Sequence, residues 1–477
     1  MNLYIDNHRF HYEMENLCRA FLYGEKITVI HEWEQLIQPY ILTSVCEDIR
    51  VTLCDGEFSE TERADKSSDD ELTMARLLYT LLSRYTGRVL PWGVLTGVRP
   101  IKLFSKLSSQ MGLDQAKEYF ENRLLVSPQK TELSALVHHA QEGILTKNGR
   151  RAFSLYVSIP FCPTRCSYCS FVSQSVEKAF ELIDEYLIKL CEEIRVTARI
   201  ARALRLELSS VYIGGGTPTT LSSEQLKMLL SVINTSFDTK DIAEFTVEAG
   251  RPDTVTEAKL ISLKEAGVTR ISINPQTFND DVLREIGRRH TARQALDAFR
   301  LARETGFDNI NMDFIAGLPT ETLESFRHSI DTALSLNPES ITVHTLAVKK
   351  SARLHERDTE REYSLTADML AYVEEKLPSR GFVPYYLYRQ SKMLSNLENI
   401  GWAKEGFFSP YNIYIMEETH SIFGCGAGAV TKLRDQDSDY LERIFNFKYP
   451  YEYISRFDEM LRRKERISEF YREYNGS

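Results

Sequence analysis

The chain reads as an α/β protein built around a partial (β/α)6 barrel, a six-stranded relative of the eight-stranded TIM-like form. Three observations predict this. Apolar, β-branched runs recur at 153–159, 209–213, 244–248, 269–274, 309–315 and 340–345. Segments long enough for helices separate them, near 181–198, 223–233, 257–265, 280–304 and 323–334. Such alternation implies a parallel sheet with right-handed crossovers. The third observation is a cysteine-rich loop directly after the first strand, since parallel sheets collect their chemistry at the carboxyl ends of strands.

The rest of the chain divides around this core. Residues 1–150 form an α+β accessory domain, 151–350 the barrel, and 351–477 a C-terminal extension on the substrate side. In the first part, Lys26–Ile30 and Ile49–Cys54 read as short strands. Ser68 is placed to cap a helix through Tyr85, with Asp69 and Asp70 at its positive end and Gly87 just beyond it. Leu95-Thr-Gly-Val-Arg99-Pro-Ile-Lys102 reads as a loop with two cations, and residues 113–146 as helical. Asn148-Gly-Arg-Arg is the linker. In the barrel, Leu182, Tyr186, Leu190 and Ile194 share one helical stripe. After residue 350 come one more helix over 359–377, the tyrosines 385, 386 and 388, a glycine-rich stretch at 424–428, and helical runs to the end.

Composition is ordinary, with 43% apolar and 26% charged residues. A net charge of −10 gives no general attraction to nucleic acid. No run of 18 apolar residues is present to span a bilayer, and the start has neither signal- nor transit-peptide character. Eight cysteines, scattered apart from one triplet, point to a reducing cytoplasm rather than a disulfide framework.

That triplet carries the chemistry. Ser158-Ile-Pro-Phe-Cys162-Pro-Thr-Arg-Cys166-Ser-Tyr168-Cys169-Ser-Phe171 sets three thiols at Cys-x3-Cys-x2-Cys spacing. A zinc site usually pairs two such units or adds histidines, and neither is here. Three thiolates on one loop instead suit three corners of a four-iron cluster, leaving one iron open to a small molecule. Ile213-Gly-Gly-Gly-Thr217-Pro-Thr ends the second strand, where missing side chains permit close approach of backbone to a ligand. Glu248 ends the third strand, with an exposed strand-end acid as its bland alternative. Gln276 ends the fourth. Arg288 lies in an arginine cluster that a solvated helix face also explains. Asp313 sits inside the apolar fifth strand, where an acid is costly unless paired.

Together these segments resemble the radical S-adenosylmethionine (SAM) superfamily and, within it, the oxygen-independent coproporphyrinogen III oxidase family. Tyr156-Val-Ser-Ile-Pro-Phe-Cys, Gly-Gly-Gly-Thr-Pro-Thr, Pro-Gln-Thr-Phe, Gly-Arg-Arg-His and Asp-Phe-Ile-Ala-Gly-Leu-Pro stand in family order over about 150–430. The long N-terminal region, Glu248-Ala-Gly-Arg-Pro and Leu397-Glu-Asn-Ile-Gly are most similar to the HemZ-like branch. The resemblance implies that Cys162, Cys166 and Cys169 ligate a [4Fe–4S] cluster. It implies SAM contacts at Tyr156, Tyr168, Gly215, Gly216, Thr217 and Glu248, and further ones at Gln276, Arg288, Asp313 and Ala347, some belonging to a second SAM. Two positions depart from the pattern. Phe171 stands where the oxidase branch has a fourth cysteine, as in haem chaperones of the HemW type, and Asn274 replaces a usual glycine.

The implied activity is oxidative decarboxylation of coproporphyrinogen III propionates to vinyl groups, by a radical generated from SAM. An electron donor such as flavodoxin or ferredoxin is implied as partner. A haem-trafficking chaperone, or an enzyme acting on haem itself, are the alternatives. An acidic protein needs local cations to hold a tetrapyrrole with four propionates. Lys349, Arg353 and Arg389 are the expected ones, with the tyrosines at 385, 386 and 388 as aromatic cover.

Overall fold

The architecture comes from a computed structural model, in which residues 1–169, 174–346, 359–389 and 397–474 are described. The N-terminal sheet has the order β2-β1-β3-β4-β5. Its strands are β1 (Asn2–Asp6), β2 (Thr28–Ile30), β3 (Tyr40–Val45), β4 (Asp48–Asp55) and β5 (Phe58–Asp65). Helix α1 (His11–Phe21) packs on α2 (Asp70–Thr86), which packs on β4 and β5. The cap of α2 is Asp69, one residue later than expected, whose carboxylate accepts from Leu72 N at 3.0 Å. Helices α3 (Pro100–Met111), α4 (Leu113–Glu118) and α5 (Pro128–Leu145) lead to the barrel, with a π-helical turn at Tyr119–Arg123. Thus Pro100 starts a helix where the sequence suggested a loop, as its fixed φ and missing N–H favour.

Six parallel strands follow in sequence and in space: β6 (Ala152–Ile159), β9 (Glu207–Gly215), β10 (Glu244–Glu248), β11 (Arg270–Ser272), β12 (Ile310–Ala316) and β13 (Ser340–Thr345). Between the first two lie the short pair β7 (Phe161–Cys162) and β8 (Gln174–Ser175), then α6 (Val176–Ala179) and α7 (Ile183–Ala203). The later crossovers are α8 (Ser223–Ser236), α9 (Glu257–Glu265), α10 (Asp280–Glu285) with α11 (Ala292–Glu304), and α12 (Leu323–Leu336). Reciprocal capping boxes at Ser222/Gln225 and Thr291/Gln294 start α8 and α11. The expected stripe on α7 is buried at Tyr186, Leu190 and Ile194.

The C-terminal part holds more strand than the sequence suggested. After α13 (Thr359–Lys376), β15 (Glu398–Lys404) adds antiparallel to β13, and β14 (Phe382–Arg389) pairs antiparallel with β15 at the edge. After α14 (Pro410–Glu417), β16 (Ser421–Cys425) adds parallel to β6 at the other edge, followed by β17 (Val430–Arg434) and β18 (Leu441–Phe445). Helices α15 (Pro450–Ser455) and α16 (Phe457–Tyr474) complete the described chain. Among the described residues the sheet therefore has eleven strands. Helix α14 touches both β9 and β14, which five strands separate, so the sheet curls around it.

A buried ionic cluster joins the N-terminal part to this sheet. Lys130 of α5 donates to Glu374 and Glu398, each at 2.5 Å, and Trp92 Nε1 donates to Glu398 at 2.6 Å. Glu398 is fully buried, so its charge depends on these partners.

Candidate active site

The cysteine loop leaves the end of β6 and is tied at its base, because Phe161–Cys162 pairs with Gln174–Ser175. Distant turns pin its middle. Ser167 N donates to Ile286 O at 3.1 Å, and Thr164 Oγ1 to Gly287 O at 3.1 Å. Arg251 of the third strand's loop donates to Thr164 Oγ1 at 3.1 Å. All three thiols are partly exposed and line one cavity of about 540 Å³. Among the described residues no three His, Cys, Asp or Glu side chains converge on a single-ion point. Three thiols on one wall suit a polynuclear cluster, whose irons take one thiolate each.

The glycine loop lies against this loop. Gly216 N donates to Ile159 O and Thr217 N to Phe161 O, both at 2.7 Å. Gly215 has φ 105°, and a Cβ there would fall 2.9 Å from Ser158 Oγ. At Gly216 a Cβ would fall 2.6 Å from Phe161 O. The side chains are absent because the two loops pack backbone to backbone, and both then face the cavity. Thr217 Oγ1 reaches Cys162 Sγ at 3.5 Å.

Beside the glycine loop stands an acidic wall, for a Cβ at Gly214 would fall 3.1 Å from Glu248 Oε1. Tyr212 Oη donates to Glu248 Oε1 at 2.7 Å. Burial lifts the Glu248 pKa to about 7; the Tyr212 bond opposes this and the charge of Asp313 adds to it. Asp313 is partnered, as an acid inside a strand requires: Asn311 Nδ2 donates to it at 2.6 Å and His344 Nε2 lies 3.8 Å away. Burial raises its pKa, but His344 and Asn311 outweigh that and hold it below the usual carboxylate value. Gln276 has φ 70°, a rare conformation outside glycine, held by bonds from its own N–H to Asp313 O at 2.9 Å and from Ile315 N to its carbonyl at 3.1 Å.

Arg288 sits here because the segment read as one helix over 280–304 is two. The chain breaks at 286–291, and Arg288 turns inward while Arg289 stays outside. Its guanidinium donates to Asn274 O at 2.6 Å and Gly250 O at 3.2 Å, and abuts Tyr168 and Cys166. Asn274 itself lines the cavity.

The structure thus brings Cys162, Cys166, Cys169, Tyr168, Gly215, Gly216, Thr217, Glu248, Gln276, Arg288 and Asp313 to one cavity. Tyr156 is not on its wall. It lies in a layer of stacked rings, with centroids 6.3 Å from Tyr212 and from Tyr411. Arg389 requires correction as a substrate contact. It is 2% exposed, donates to Leu95 O at 2.8 Å, and lies over Trp92, so it anchors the N-terminal part. Of the three tyrosines, 386 and 388 line the cavity, whereas Tyr385 stacks on Phe408. Ala347, Lys349, Arg353 and Phe171 lie outside the described residues. Sequence reasoning missed His344, Arg270, Asn311, Asn412 and Met416 on the wall. For Arg270 and His344 the signal was there, a charged or titratable residue within an apolar strand. Nothing in the sequence pointed to Asn412 and Met416, which α14 carries into the barrel.

Residues 156–333 match the family model of the radical SAM superfamily. A parallel sheet with this cysteine loop at the end of its first strand defines a radical SAM protein, a class that uses a [4Fe–4S] cluster and SAM. Over 412 residues the chain is 38% identical to the oxygen-independent coproporphyrinogen-III oxidase-like protein HemZ of Bacillus subtilis, covering 83% of this chain and 81% of that one. The chain belongs to this HemZ family. It is also 40% identical over 287 residues to the heme chaperone HemW of B. subtilis, covering 58% of this chain and 70% of that one. The solved structure of coproporphyrinogen III oxidase HemN from Escherichia coli shares the fold, with TM-score 0.51 and 24% identity over 68% of this chain and 73% of that one.

Proposed function

We propose that this protein is an oxygen-independent coproporphyrinogen III oxidase, converting propionate side chains to vinyl groups with loss of CO2, one hydrogen atom going to a SAM-derived radical and one electron to a separate one-electron acceptor. The observation that carries this reading is one cavity with the three thiols on one wall and Glu248, Asp313, His344, Tyr386 and Tyr388 among its other residues. The cluster and SAM, when bound, supply a one-electron reductive cleavage that yields a hydrogen-abstracting radical. The chain's residues do the rest. Cys162, Cys166 and Cys169 hold the cluster, and Arg288 offsets its thiolate charge from behind. Tyr168 and the 215–217 backbone shape the SAM-binding wall, with Tyr156 behind it in the ring layer. Glu248 accepts from ribose hydroxyls, and Gln276, Arg288, Asp313 and Ala347 serve further SAM contacts.

Tyr386 and Tyr388 give the tetrapyrrole an apolar face with polar tips. Lys349 and Arg353, in the segment after β13, are the proposed propionate partners. We read 1–150 as an accessory domain, 151–350 as the barrel and 351–477 as the closing extension of a cytoplasmic protein. The donor is a small one-electron carrier such as flavodoxin or ferredoxin. The test is an anaerobic reaction with reductant and SAM, using coproporphyrinogen III and haem in parallel, read by mass spectrometry. Substrate-dependent 5′-deoxyadenosine with a vinyl product supports the oxidase. Stable haem binding without turnover supports the chaperone reading, which the 40% identity to a heme chaperone favours as the second choice.

A further inference from the structure

The cations of the Leu95–Lys102 segment take no part in the cavity, for neither Arg99 nor Lys102 lines it. They belong to a second constellation around Glu418, which follows α14 and is 9% exposed. Arg99 Nη1 and Lys102 Nζ approach its Oε2, the lysine at 3.7 Å. Arg443 Nη2 and Lys432 Nζ approach its Oε1, at 3.0 and 4.0 Å. Four cations against Glu418 and a partly ionised Glu417 leave a local surplus of two to three positive charges, in a chain whose net charge is −10. Glu417 alongside supplies only part of a charge, because burial lifts its pKa to about 7.

The arrangement is costly in two ways. Lys432 and Arg443 face each other directly across β17 and β18, where like charges repel. Arg99 and Lys102 stand at the positive end of α3, whose first turn has no acid to offset them. Burial, and behind it the charges of Arg99 and Arg443, draws the Lys432 pKa down to about 8 against the pull of Glu418. Two elements some 330 residues apart in sequence bring these penalties to one spot, roughly where a further anion would relieve both.

We propose that Arg99, Lys102, Lys432 and Arg443 form a second binding site, apart from the SAM cavity, for a diphosphate group such as a nucleoside diphosphate carries. Charge decides the class. A carboxylate brings one negative charge and a phosphate group about two, whereas a diphosphate brings about three. The two guanidinium forks match paired phosphate oxygens, and the lysines act as point charges. The four side chains are 17 to 46% exposed, so a small ligand reaches them.

The test is calorimetry and thermal melting of the full chain with inorganic pyrophosphate, inorganic phosphate and ADP at low ionic strength. Saturable binding of pyrophosphate, tighter than phosphate, is expected. In Lys432→Gln/Arg443→Gln it should weaken at least tenfold, with iron content and SAM affinity unchanged. Without ligand that variant should melt above wild type, because the repulsion is gone. Arg443→Gln alone, at a half-exposed side chain, replaces it if the double variant folds poorly. No saturable pyrophosphate binding, or equal affinity in wild type and variant, overturns the site. A lower unliganded melting temperature makes the cluster a structural clamp instead. Displacement of pyrophosphate by an equal concentration of coproporphyrin III reassigns it to substrate propionates and removes the diphosphate assignment. None of these outcomes depends on turnover at the SAM cavity.

Discussion

Replacing Glu248 by Gln keeps the shape of the side chain and removes its charge, so it isolates what the carboxylate does for SAM. A ribose diol donates its hydroxyl hydrogens, and a carboxylate accepts them more strongly than an amide. The difference between charge-assisted and neutral bonds is about 1–2 kcal/mol, or roughly 5- to 30-fold in affinity at pH 8. The pH profile discriminates further. With a pKa of about 7, Glu248 is about one-tenth ionised at pH 6 and nine-tenths at pH 8. With the ionised form binding roughly 5- to 30-fold more tightly than the neutral one, wild-type SAM affinity should therefore rise roughly 3- to 8-fold over that range from this group alone, and the ratio of wild type to Glu248→Gln should rise with it. SAM's own titration cancels in that ratio.

Stability moves the other way. The folded pKa is raised above the ordinary 4.5, so between 4.5 and 7 the folded state binds more protons. Stability from this group is present below that window and lost as pH climbs through it. The full penalty above pH 7 is about 3 kcal/mol at most, less whatever solvent in the cavity screens. Unliganded Glu248→Gln should therefore resist urea better than wild type at pH 8 and equally at pH 4.5. The measurements are calorimetric SAM titrations of cluster-loaded protein from pH 6 to 8 and urea melts of the unliganded chain. Parallel pH profiles for wild type and variant would refute the ribose assignment.

Cys166→Ala should lose the broad visible absorption and most of the iron after anaerobic reconstitution, whereas Cys425→Ala should keep both, since Cys425 is fully buried beside Thr197 and off the cavity. Gly401→Ala should cost about 1–3 kcal/mol in urea melts by overpacking, because its Cβ would fall 1.7 Å from the Tyr386 ring. Lys130→Ala should cost about 3–5 kcal/mol by stranding Glu398 in the core. Charge reversal at Lys349 and Arg353 should weaken tetrapyrrole binding measured by fluorescence while SAM affinity and iron content hold; unchanged binding would move the propionate site elsewhere.

The amino-acid order alone determined the barrel and its chemical end. Strand and helix periods are local, so alternation from 153 to 345 was readable without any tertiary contact, and α9 falls at the residues expected for it. The cysteine spacing is equally local, because one loop supplies all three thiols. Asp313 was legible for a different reason. A buried carboxylate needs partners: its own strand offers Asn311 two residues before it, and the fold adds His344 from the neighbouring strand.

Tertiary structure decided the rest, wherever a residue's role depends on a segment far away. Arg389 reads as a mouth cation in sequence, but burial against Leu95 and Trp92 makes it an anchor. The glycine-rich stretch at 424–428 reads as a turn, yet β16 carries its first residues into the sheet parallel to β6, some 270 residues away. Arg288 faces inward only because the chain breaks between α10 and α11, and the cysteine loop bonds the break at Ile286 and Gly287. Helix α14 lies inside the curl because sheet curvature, which no local pattern encodes, leaves room for it. The four cations around Glu418 come from α3 and the β17–β18 hairpin, whose separate sequences carry unremarkable charges. Electrostatic surplus belongs to a volume in space, and only the folded chain defines that volume.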